Sequence, residues 1–91
     1  MDLREELSEI DSRIKEIDGE VKNVEKQWIK EVKEVSEKPG FDIYSRKATK
    51  VFRKVADKYT PIVADLDIER EQLVVRYNKI IYEIKKSKKS N

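Results

Sequence analysis

Residues 3–28 read LREELSEIDSRIKEIDGEVKNVEKQW, with Leu3, Leu7, Ile10, Ile14, Ile17, Val21, Val24 and Trp28 as the apolar series. The steps alternate between four and three residues without a miss. A 3.5-residue repeat keeps one stripe of an α-helix facing a partner helix, so the stretch is a coiled-coil seam. A charged helix of this length cannot bury such a stripe against itself and must meet another helix.

Upstream of the seam, Asp2 followed by Glu5 has capping-box spacing and starts the first helix. With Leu7, Ile14, Val21, Trp28 and Val35 at position a, residues Leu3, Ile10, Ile17 and Val24 fall at d. Glu31 takes the next d site, and Ile29 and Val32 carry burial there instead. Gly19 lands at f, the outermost position, where it costs about 1 kcal/mol of helix propensity and disturbs no packing. Pro39 and Gly40 end the helix near Ser36. Asp42 is the expected N-cap of the next helix.

A second seam runs Phe52, Ala56, Tyr59, Val63, Leu66, Arg70, Leu73, Tyr77, Ile80, Ile84. It holds heptad phase through Pro61, which falls at f, where a kink disturbs least. The expected fold is therefore all-α: an antiparallel helical hairpin with a long first helix and a second arm kinked at Pro61. Thr60–Pro61 also fits a helix start, which gives a three-helix bundle as the alternative. Residues 1–86 form the expected domain, and 87–91 a flexible basic tail.

Charge helps choose the partner of the first helix. A parallel homodimer would set Glu6 against Asp11 and Glu20 against Glu25, leaving only Arg13 with Asp18 attractive. Residues 1–38 carry twelve acids and eight bases, whereas 39–61 carry two acids and six bases. An acidic arm beside a basic arm favours intramolecular pairing. Val55, Ile62, Val74 and Ile81 widen the second seam beyond the narrow line of a two-helix coil. A homodimer forming a four-helix bundle would cover that width. Arg70 at a seam position is expected to set register, paired with Glu31.

The chain has 91 residues, 44% of them charged, with a net charge of +2 and neither His nor Cys. Ser-His-Asp and Cys-His catalysis and thiolate or His metal sites are excluded. The acids Asp65, Asp67, Glu69 and Glu71 imitate a calcium loop, but Arg70 and Arg76 replace its glycine and bidentate glutamate. No apolar run exceeds four residues, so no membrane span is expected. Catalytic, cofactor and metal residues are thus expected to be none, with no small-molecule substrate and a cytoplasmic setting. The lysine-rich, Ile/Val-heavy composition is associated with viral, phage and low-GC microbial proteins, which makes host cytoplasm the setting for a viral source.

Leu3–Asp11 resembles the start of the all-helical chorismate mutases, whose early arginine, here Arg4, reaches a substrate carboxylate. This chain departs from that pattern: the family's second arginine falls near Val21, and no lysine follows a glycine after it. Asp67–Glu71 is similar to another family element but sits about 25 residues too late. These departures leave the enzyme reading without its cation set.

The expected function is non-enzymatic protein–protein interaction, as a small adaptor, assembly factor or inhibitor acting through helical faces. Trp28, Ile29, Val32, Val74 and Ile81 are the candidate partner-binding residues. The alternative is non-specific nucleic-acid binding through Arg46, Lys47, Lys50, Arg53, Lys54 and Lys58 with the Lys85–Lys89 tail.

Overall fold

The computed structural model describes residues 2–89, which form two helices packed against each other and no strand. Helix α1 spans Leu3–Ser36 and helix α2 spans Arg46–Lys89. The molecule is a rod, 72 × 18 × 16 Å, with a radius of gyration of 20.5 Å. A compact globule of this length would have about 12 Å. Burial is accordingly confined to one line along the rod: Ile10 and Ile17 of α1, and Ala48, Val55, Tyr59 and Ile80 of α2. Val55, expected as a flank, belongs to that core.

Local chemistry sets each end. The Asp2 carboxylate accepts from the Arg4 amide at 3.3 Å, and its carbonyl accepts the first helical bond from Glu6 at 3.0 Å. Glu5 and Glu6 sit at the positive end of the helix dipole. After α1 the chain makes a turn in which Phe41 N–H donates to the Lys38 carbonyl at 3.1 Å. Pro39 supplies the fixed φ of the first central position, and Gly40 the positive φ of 77° at the second.

The second helix begins later than Asp42 would place it. Asp42 instead organises the loop, accepting from the Tyr44 amide on its carboxylate and from Ser45 on its carbonyl. Ser45 is the N-cap, its Oγ accepting from the Ala48 amide at 3.0 Å. A serine three residues before a buried alanine is the better cap, because it lets Ala48 enter the core directly.

α2 runs unbroken through Pro61, so the three-helix alternative does not hold. Pro61 is exposed on the outer side, away from the apolar line that the packing with α1 maintains. At its far end α2 continues to Lys89, past the boundary expected at residue 86. Ser90 and Asn91, the end of the expected tail, lie outside the described residues.

Candidate interaction surface

The register of the hairpin decides which side chains can meet. Arg76 Nε donates to Glu6 at 2.8 Å, Arg13 forks onto Glu69 at 2.6 and 3.0 Å, and Arg70 reaches Asp18 at 2.9 Å. Near the bend, Lys58 donates to Glu31 at 2.6 Å. Partner numbers rise along one helix as they fall along the other, which is antiparallel pairing.

Two expectations are corrected by this register. Arg70 does not meet Glu31: the two lie at different levels of the rod, and each has another partner. Nor does the basic stretch 39–61 supply most of the pairing. Three of the four inter-helix partners come from residues 69–76, because Glu6, Arg13 and Asp18 of α1 lie level with charges of opposite sign there. Of the basic face, Lys58 alone is engaged in an ion pair among the described residues. Arg46, Lys47, Lys50, Arg53 and Lys54 are exposed.

These contacts perturb the carboxylates in one direction. Hydrogen bonds from Arg76 to Glu6, from Arg13 to Glu69, and from Lys58 and then Tyr59 to Glu31 hold all three below their ordinary 4.5. The reciprocal effect raises Lys58, through its bond to Glu31. It also raises the Tyr59 phenol, which donates to Glu31 and is further penalised by burial when ionised.

Trp28 sits in the middle of this cluster. Its indole stacks on the Tyr59 ring at 6.0 Å between centroids and 13° between planes. Tyr59 is buried, and Lys58 Nζ lies 5.3 Å from its ring centroid. Trp28 is therefore fixed on one side and half-buried overall. Beside it Ile29 is 67% exposed. Glu25, Trp28, Ile29, Val32, Lys33 and Ser36 line a shallow depression of about 510 Å³ along α1.

The remaining candidates are not part of that depression. Val74 and Ile81 are half-buried on α2, level with the start of α1. Val32 lies near the bend, so the two groups are separated by roughly 30 Å at 1.5 Å per residue. The five sequence candidates thus form two patches at opposite ends of the rod.

Several exposed apolar side chains lie outside the candidates drawn from sequence. Tyr44 is 91% exposed in the loop beside Ile43, immediately before the basic start of α2. Ile68, Val75 and Tyr82 are exposed on the back of α2. Their seven-residue spacing was the available signal: it traces a second line on a helix whose main seam lies on the other side.

Among the described residues, no helix is long and apolar enough to cross a membrane, and no group of acidic side chains is placed to hold a metal ion. Arg4, the arginine that the chorismate mutase resemblance singles out, is exposed. Comparison with family models, with curated proteins and with solved structures finds no match to this chain.

Proposed function

We propose that this chain is a non-enzymatic protein–protein interaction module of the cytoplasm, a small adaptor, assembly factor or inhibitor that binds through its helical faces. Self-association into a four-helix bundle belongs to the same reading. The supporting observation is the Trp28 face: a tryptophan stacked on Tyr59, which Glu31 holds in turn, with Ile29 at 67% exposure next to it. Rigid aromatic anchors flanked by exposed aliphatics are what partner proteins bury most productively. The inter-helix pairs Arg76–Glu6, Arg13–Glu69, Arg70–Asp18 and Lys58–Glu31, by contrast, hold the two helices together.

A photo-cross-linking residue placed at Ile29 tests this in source cells, with the same residue at exposed Ser12 on the outer side of α1 as control. Adducts to another polypeptide from position 29 and not from 12 are expected. No adduct from position 29 overturns the reading.

The second reading is sequence-independent nucleic-acid binding through Arg46, Lys47, Lys50, Arg53 and Lys54. It is favoured by these cations, which form no ion pair among the described residues, and by Tyr44, whose ring is open to stack on a base. Retention on duplex and single-stranded nucleic acid that falls steeply with salt is its signature. No retention at low salt ends it.

A further inference from the structure

The back of α2 carries a second heptad line. Ile68, Val75 and Tyr82 recur every seven residues, at 56%, 50% and 66% exposure. Val74 and Ile81 border one edge. On a helix these positions lie on one face that α1 does not cover, an apolar residue every second turn with Glu71, Gln72, Asn78 and Lys79 between them. An exposed strip this regular asks for another helix.

The charges beside it specify which helix. Asp65 and Asp67 flank the strip at its start; Lys86 and Lys88 flank it at its end, at the matching heptad positions. All four are exposed, and none forms an ion pair within the hairpin among the described residues. A parallel copy would set acid beside acid and base beside base. An antiparallel copy sets each acid against a base.

We infer that the strip is the self-association surface of this protein, with α2 packing antiparallel on α2 of a second copy about a twofold axis. One register pairs the charged residues at both ends of the strip. Asp65 faces Lys86 of the copy and Asp67 faces Lys88, while Val74 packs on Ile81. Within the strip, Ile68 packs on the aliphatic stem of Lys85, Val75 lies over Asn78 and the Tyr82 hydroxyl meets Glu71. The twofold doubles each pairing, and complementary charge at both ends fixes orientation and alignment. The two α2 helices then form the centre of the four-helix assembly, with α1 of each copy outside. The overhanging basic end of α2 acquires an acidic partner in place of a polyanion. This inference rests on the interaction reading above and names one partner for it.

Sedimentation equilibrium of the full chain from about 5 to 200 µM tests it. The wild type is expected to rise from 10.8 kDa toward twice that mass. Val75→Glu, D65K/D67K and K86D/K88D are each expected to stay at the monomer mass with unchanged helical circular dichroism. Mixing D65K/D67K with K86D/K88D in equal amounts restores complementary charge at both ends, and so the dimer. A wild type that stays monomeric throughout overturns the inference. So does a dimer that Val75→Glu leaves intact, or a pair of charge variants whose mixture stays monomeric. In each case cross-linking from position 29 still decides whether another polypeptide docks on the Trp28 face, so that part of the interaction reading and this inference can fail separately.

Discussion

Ile17→Ala is the substitution from which the packing has most to lose. Ile17 is fully buried at the middle of a rod whose core is a single line of side chains. Truncating a buried isoleucine costs about 3 kcal/mol from lost transfer energy and the cavity left behind. A hairpin this thin has a total stability near the low end for its length, about 5 kcal/mol. The substitution therefore removes more than half. With a urea m-value of about 1.5 kcal/mol/M, the midpoint drops by about 2 M. Ile29→Ala is the internal control: the same atoms are removed from a side chain 67% exposed. Its effect stays within about 0.5 kcal/mol, a midpoint shift of about 0.3 M. Both are read by circular dichroism at 222 nm, at one low protein concentration so that self-association adds no mass-action difference. Equal shifts for the two variants would rule out a single-line core, since burial is the sole difference between the sites.

The two glycines should respond in opposite directions. At Gly19 an added methyl meets nothing within 4 Å, so Gly19→Ala raises stability by about 1 kcal/mol through helix propensity. At Gly40 there is also space, but φ is +77°, and Gly40→Ala lowers stability by about 1–2 kcal/mol through backbone strain. Chemical denaturation of both variants checks the pair. Glu6, Glu31 and Glu69 have lowered pKa values, so their contribution is full above about 4.5 and disappears as pH falls through the shifted values. Lys58 and Tyr59 are raised, so theirs is full below about 10 and disappears as pH rises further. Urea midpoints against pH should form a plateau between these limbs, and Glu31→Gln should weaken both; a variant with unchanged limbs would contradict the assignment.

The hairpin was legible because the apolar spacing of residues 3–28 has one physical solution, and because the second seam keeps phase across Pro61. Even the position of the first cap, Asp2, follows from residue type. What the sequence did not disclose is pairing across the bend. Arg70 and Glu31 look like natural partners as the two polar residues in their seams. Yet Glu31 lies a few residues before the bend and Arg70 far beyond it, so an antiparallel register separates them. Net charge by segment points to pairing within one chain but not to the individual pairs, since ion pairs form between residues at the same level of the rod, not between averaged arms. Asp42 lost the cap to Ser45 because the loop needed its carboxylate for the Tyr44 amide. The strip through Ile68, Val75 and Tyr82 was hidden among charged neighbours, and it emerges once the main seam is known to face α1.

Pulsed electron–electron distance measurement decides whether α1 and α2 of one chain zip antiparallel. The chain has no cysteine, so spin labels at Ser8→Cys and Asn78→Cys are unambiguous, and the observed register puts both on the same side of the rod at the same level. Helices packed 8–10 Å apart place these labels about 20 Å apart, and dilution with unlabelled protein leaves the distance unchanged. A distribution centred beyond about 40 Å, or a short distance that vanishes on dilution, would mean that the arms do not close on each other within one chain.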